Sequence, residues 1–191
     1  MDKELEKKLF ENFPKIFRQK DLPSSETCMC WGCACDDGWY EIINDACKVM
    51  NDMSEWNPHM YPRIEMAQVK EKYGTLVMYY DIIELSKEEF LCRDEARTCY
   101  EYRIPWWIKF LGRIFPKIKD NYMYKRYLEN TKMYQSYFDG VENYAGYLSS
   151  KTCEICGEKG TSCRSRGWMK TLCDKHMIEN GYSKPNCGEE K

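Results

Sequence analysis

Cys153-Glu-Ile-Cys156-Gly157, followed by Cys173-Asp-Lys-His176, constrains the fold of this 191-residue chain more than any other stretch. A C-x2-C pair aims two thiols at one point only on a tight knuckle, and Gly157 gives the backbone that freedom. A C-x2-H pair in the first turn of a helix places a third thiol and an imidazole on one side. Between the two pairs, Arg166 to Leu172 reads as a strand. Knuckle, hairpin and helix start are the parts of a treble-clef-like zinc finger. Three thiols and one imidazole suit the tetrahedral preference of Zn2+, and one zinc is expected on Cys153, Cys156, Cys173 and His176. Four protein ligands leave no position for water, so this zinc is read as structural, not catalytic. Cys163 and Cys187 rank below these four as substitute ligands.

The chain carries twelve cysteines, a number that in a secreted protein would suggest a disulfide framework. Met1-Asp-Lys-Glu-Leu-Glu-Lys-Lys8 shows no apolar signal core, and no apolar run reaches the roughly 20 residues of a membrane span. A reducing cytoplasm is therefore expected, with cysteines serving as metal ligands or buried thiols.

Periodicity points to an α+β fold. Leu5, Leu9 and Phe10 share one side of a helix over 3–12 that Pro14 ends. Tyr40, Ile43, Cys47 and Met50 recur at helical spacing over 39–53, with Asp36 or Asp37 as the cap, and 57–62 breaks that helix. Alternation over 63–72 sets Ile64, Met66 and Gln68 on one face, and Thr75 to Tyr80 follows as the second arm of a hairpin turning at Tyr73-Gly74. Ser86-Lys-Glu-Glu89 is a capping box opening a helix over 87–100, and a last helix over 139–149 leads into the knuckle. Three segments result: an α+β body with a Cys-rich loop at 1–83, a helical basic aromatic insertion at 84–138, and a helix plus zinc-finger module at 139–191.

Cys28-Met-Cys-Trp-Gly-Cys33-Ala-Cys35 offers a second metal site through Cys28, Cys30 and Cys35, with His59 as a conceivable fourth ligand. Packing of these cysteines and Trp31 against the following helix is the competing and favoured reading. Neither a nucleophilic cysteine in an activating context nor a phosphate loop is recognisable, and enzyme activity is the minority expectation.

Residues 103–137 differ from the rest. Eight Lys or Arg, including Arg103, stand against Asp120 and Glu129, and nine of the 35 residues are aromatic. This local charge of +6 within a chain of net charge −2 suggests a binding surface, or a complement to the acidic remainder within one chain or in a homo-oligomer. Trp106, Trp107, Phe110, Arg113, Lys117, Lys119, Lys125 and Arg126 are its candidate partner-binding residues.

Taken in order, Glu26-Thr-Cys-Met-Cys-Trp-Gly32, Asp37-Gly-Trp-Tyr40, Val69-Lys-Glu-Lys-Tyr-Gly-Thr-Leu76, Thr152-Cys-Glu-Ile-Cys-Gly157 and Gly167-Trp168 with Thr171-Leu-Cys173 and His176 resemble a family of small tailed-bacteriophage proteins of unassigned function. The resemblance covers about 13–80 and 141–177 and leaves 84–138 as an insertion. It implies a phage accessory protein in the host bacterial cytoplasm, and it carries no catalytic residues.

Three functions follow as expectations. The first is a non-enzymatic effector that binds a host protein or signalling nucleotide, in the manner of a counter-defence inhibitor. The second is a nucleic-acid-binding zinc protein, using the basic segment and its interleaved tyrosines. The third is a membrane-surface protein lying on 103–118, which ranks last because Gly112 and Pro116 interrupt that stretch.

Overall fold

A computed structural model describes residues 1–56, 63–93, 98, 100–101 and 104–185. His59, Cys187, Arg103 and the break expected at 57–62 lie outside the described residues. Chain order is α1 (Lys3–Asn12), β1 (Cys33–Ala34), α2 (Tyr40–Trp56), β2 (Arg63–Lys72), β3 (Thr75–Ile83), α3 (Lys87–Cys92), α4 (Trp106–Ile114), α5 (Pro116–Ser149), β4 (Thr161–Ser165), β5 (Trp168–Leu172) and α6 (Asp174–Glu179). The fold is α+β. By packing it divides into two compact units: Met1–Asn51 with Glu65–Asp81 and Gly140–Lys191, and Asp52–Ile64 with Ile82–Asp139.

In the first unit, Asp2 caps α1 by accepting from the Glu4 N–H at 2.9 Å, and the helix ends at Phe13. Leu9 is buried on its inner side, and Tyr40, Ile43, Cys47 and Met50 are buried along α2 as their spacing requires. The sheet runs in the order β1-β2-β3, with Cys33 opposite Val69 in a short parallel pairing. Tyr73 and Gly74 both take positive φ, 53° and 77°, the two-residue geometry that matches the twist of a hairpin.

The alternation expected of β2 fails in its middle. Glu65 is buried as well as Ile64 and Met66, and further along Val69 is buried while Gln68 is half-buried. Val69 pairs with Cys33 of β1 along the strand edge, and the Glu65 carboxylate has the Arg18 guanidinium 3.9 Å away.

Met1–Asn51, Glu65–Asp81 and Gly140–Lys191, separate in sequence, share this unit, and hydrogen bonds join them. The Leu76 N–H donates to Ser149 Oγ at 2.8 Å and the Gly38 N–H to the Glu154 carbonyl at 2.8 Å.

The second unit is built on an aromatic core of Phe90, Tyr100, Ile104, Ile108, Met123 and Tyr127. Phe90 lies 5.2 Å from the Tyr127 ring and 5.6 Å from Tyr100, distances at which ring pairs add to simple burial. Both arms of the Ser86–Glu89 capping box form, at 2.8 and 3.2 Å. Most of the helix expected after Arg93 lies outside the described residues.

The helix expected at 139–149 is the end of a much longer one. α5 begins at Pro116, whose missing N–H is harmless at a first helical position, and runs through Gly140 and Gly146. Met123, Tyr127, Thr131, Tyr134 and Phe138 form its buried stripe within this unit.

Candidate metal centre

Three short elements aim four side chains at one point. The knuckle after α5 closes through Gly157 N–H to Cys153 O at 2.9 Å and Cys153 N–H to Glu158 O at 2.7 Å, with Gly157 at φ 77°. The β4–β5 hairpin then carries the chain back, with Thr161 opposite Leu172 and Ser165 opposite Trp168. Cys173 is the N-cap of α6, and His176 lies in its first turn. This is the order expected of a treble-clef-like module.

The donor atoms of Cys153, Cys156, Cys173 and His176 all lie within 4.8 Å of one another, and the group could hold a metal ion. Among the described residues no other such group forms. A tetrahedron with Zn–S bonds of ~2.3 Å and Zn–N bonds of ~2.0 Å has S···S edges of about 3.8 Å and S···N edges of about 3.5 Å. Cys156 and Cys173 place their sulfurs 3.8 Å apart, while His176 Nδ1 is 3.4 Å from the Cys153 sulfur and 3.3 Å from that of Cys173. The edges fit zinc.

The His176 backbone N–H points at the Cys173 sulfur and holds that thiol below its ordinary pKa, which favours the thiolate a metal needs. On the far side of the imidazole, Nε2 lies 3.8 Å from a Glu179 oxygen, within reach of orienting the ring.

The surroundings of the knuckle were not legible from the motif. Glu154, buried between the two ligand cysteines, forms an ion pair with Lys170 of β5 at 3.1 Å, and Lys170 also reaches Asp36 at 3.1 Å. Burial alone would lower the Lys170 pKa, but the Glu154 and Asp36 carboxylates outweigh it and hold it above its ordinary value. Trp39, fully buried, donates its indole N–H to the Thr152 carbonyl at 2.9 Å. Asp36 and Asp37 therefore do not cap α2 as expected: Asp36 binds Lys170, and Asp37 accepts from the Asp2 N–H at 2.6 Å.

Lys170→Met would leave the Glu154 carboxylate buried without its cation. Stripping one partner from a buried pair costs about 3–5 kcal/mol. The Lys170 side chain is 30% exposed, so we expect about 2 kcal/mol in urea unfolding. Adding Glu154→Gln should recover part of that loss. Simple additivity of the two losses would refute the pairing.

The N-terminal cysteines are not brought together as a metal site. Cys28 is exposed, Cys30 donates its thiol to Thr27 O at 3.3 Å, and Cys33 and Cys35 are buried. A 3-10 turn at Met29–Trp31 precedes the two-residue strand Cys33–Ala34. Among the described residues, the expected set Cys28, Cys30 and Cys35 does not form a group that could hold a metal ion. Burial pushes Cys35 up to about 12 despite the neighbouring Met1 ammonium, and burial also raises Cys33 and Cys47. The packing reading fails for Trp31, which is exposed, while Met29 is fully buried. Cys163 is also buried, donating to Lys170 O at 3.2 Å, and is not a ligand.

The candidate partner-binding residues separate into two sets. Trp106 is 80% exposed, Trp107 48% and Phe110 58%, and Arg113, Lys117 and Lys125 are exposed with them. Lys119 and Arg126 are engaged, in ion pairs with Glu101 and, at 3.1 Å, with Glu129. Ile114, Phe115 and Ile118, outside the candidate set, extend the exposed apolar surface. Their signal was present: Ile114 recurs at i+4 from Phe110 and i+8 from Trp106. Comparison of the chain with protein-family models, curated proteins and solved structures finds no match.

Proposed function

We propose that this chain is a zinc-stapled, non-enzymatic binding protein that docks the aromatic–basic face of α4 on a component of a bacterial host, as a phage accessory protein would. The observation that carries this reading is the exposure of Trp106, Trp107 and Phe110 on a helix whose Ile108 is buried. Large aromatic side chains left in water beside arginine and lysine have the composition of a binding hot spot. Zinc suits the Cys3His geometry, and with all four positions taken by protein it serves as a staple. Buried, protonated thiols at Cys33, Cys35 and Cys47 are poor nucleophiles, which supports a non-enzymatic role. Stoichiometric capture of a host component is also the mode in which such a protein would blunt a host defence.

The nucleic-acid reading is weakened by the burial or half-burial of most of its interleaved tyrosines, although Tyr137 is exposed. Tyr127 is buried, Tyr124 donates its hydroxyl to Leu85 O at 3.1 Å, and Tyr122 packs on the same core. A signalling nucleotide asks for several directed hydrogen bonds, and the α4 face offers little beyond indole N–H groups and cations.

Retention of host proteins, lipids and small molecules on the immobilised chain tests the reading. Trp106→Ala and Phe110→Ala should each weaken the specific contact by tenfold or more, the order of a hot-spot loss. Their zinc content and circular dichroism should stay unchanged. An identical retained set for parent and variants would sink the docking surface. Release of product from nucleotide or peptide panels at catalytic ratios would overturn the non-enzymatic reading.

A further inference from the structure

We propose that the partner of the α4 face is an anionic lipid surface, on which α4 lies in the headgroup region with its aromatic arc immersed; this rests on the reading of α4 as the docking element. At 100° per residue, Trp106, Phe110, Ile114 and Trp107 fall within an arc of about 100°. Ile108 sits on the opposite side and is held in the aromatic core with Phe90, Tyr100, Ile104, Met123 and Tyr127. The core contact sets the rotation of the helix and turns the arc away from its own unit.

Charge chooses the partner. From Ile104 to Lys119 there are four cations, Lys109, Arg113, Lys117 and Lys119, and no acid. Lys119 is taken up by Glu101, whereas Lys109, Arg113 and Lys117 are exposed and, among the described residues, make no ion pair. Lys109 and Arg113 fall together on one border of the arc, where a long side chain can keep its head among phosphates while the rings sit deeper. Tryptophan and phenylalanine above a row of cations is the composition of an interfacial helix.

A protein partner would ask for more. Protein interfaces carry about one hydrogen bond per 100–200 Å2, and the only hydrogen-bonding groups within the arc are two indole N–H groups. A lipid interface makes few directional demands and presents one sign of charge.

The objection from sequence, that Gly112 and Pro116 interrupt the stretch, does not survive the fold. Gly112 lies inside α4, where a Cβ would meet the Lys119 Cβ at 2.7 Å, so glycine there lets the start of α5 fold against α4. Pro116 opens α5, and the exposed Phe115 and Ile118 at that junction enlarge the apolar patch.

Cosedimentation of the full zinc-loaded chain with vesicles tests the proposal, using phosphatidylcholine alone and phosphatidylcholine with about a third phosphatidylglycerol. Binding is expected on the anionic vesicles only, falling as salt is raised. Trp107→Ala should lower it several-fold, and the double charge reversal Lys109→Glu with Arg113→Glu by about tenfold or more. The charge reversal touches no core side chain, so it remains informative if an aromatic variant unfolds. Trp168→Ala, which removes an exposed tryptophan of the β4–β5 hairpin, should leave binding unchanged.

Absence of binding to anionic vesicles, or equal binding to neutral ones, overturns the lipid assignment. Capture of a protein through Trp106 and Phe110 with no vesicle binding overturns it too, but leaves the docking surface standing. Loss of nothing in either assay removes both readings.

Discussion

Cys173→Ser is expected to abolish metal binding at the group that could hold an ion, and so to unfold the module that follows α5. Metal analysis after dialysis should give about one zinc per chain for the parent and almost none for the variant. The size of the effect follows from what the module has without metal. Its hairpin has two five-residue strands, α6 has six residues, and its buried cluster is Cys153, Cys163, Leu172 and Met177. Two of those four positions are cysteines, so little apolar area is buried. Structural zinc contributes on the order of 10 kcal/mol of apparent binding free energy in such modules, far more than this core can supply.

Chelation should have the same result, and reversal should require zinc. Hydrogen exchange should show loss of protection at the Gly157 and Gly160 amides, which donate to Cys153 O and Lys151 O. Cys163→Ser is the discriminating control. Its thiol donates to Lys170 O and lies outside the Cys3His group, so zinc content should hold even if stability falls. Full zinc occupancy in Cys173→Ser would refute the assignment.

The ligand set was legible because metal geometry reaches the sequence directly: a C-x2-C pair and a C-x2-H pair leave few ways to satisfy four tetrahedral bonds. The Ser86–Glu89 cap was legible for the same kind of reason, since its bonds are local. What could not be read was what depends on distant partners. Asp36 and Glu154 are 118 positions apart in the chain, yet in the fold both carboxylates meet Lys170. Glu65 breaks its strand's alternation because Arg18 approaches from a segment with no regular pattern.

The N-terminal cysteines show the opposite failure. Their density invited a metal reading, yet burial divides them: Cys33 and Cys35 serve as small buried groups, while Cys28 is exposed. For α4, composition alone left packing and exposure equally open. The decision came from Ile108, whose burial in the aromatic core turns Trp106 and Phe110 outward.

Gly38→Ala is expected to be among the most damaging single substitutions outside the ligands, although it adds one methyl group. Gly38 has an ordinary φ, so the cost is steric rather than conformational. A Cβ there would collide with the Cys153 carbonyl oxygen and the Gly157 nitrogen and lie 2.7 Å from the Glu154 carbonyl oxygen. All three are backbone atoms of the knuckle, held by the Gly157-to-Cys153 and Cys153-to-Glu158 bonds, and they cannot swing away as a side chain would. Relief requires moving 37–39 off the knuckle. That breaks the Gly38 N–H bond to Glu154 O and strains the Trp39 indole bond to Thr152 O. Overpacking of this kind, with a lost buried hydrogen bond, costs about 3 kcal/mol or more. Because the displaced backbone carries Cys153 and Cys156, zinc affinity should fall by about ten- to a hundredfold, as when the support of a ligand is removed. Gly140→Ala provides the contrast. Nothing lies within 4 Å of a Cβ at Gly140, which sits inside α5, so that change should stabilise the chain by about 0.5–1 kcal/mol. Competition with a chromophoric chelator and thermal melts read both effects, and a Gly38→Ala chain that melts and holds zinc like the parent would show that the knuckle does not rest on Gly38.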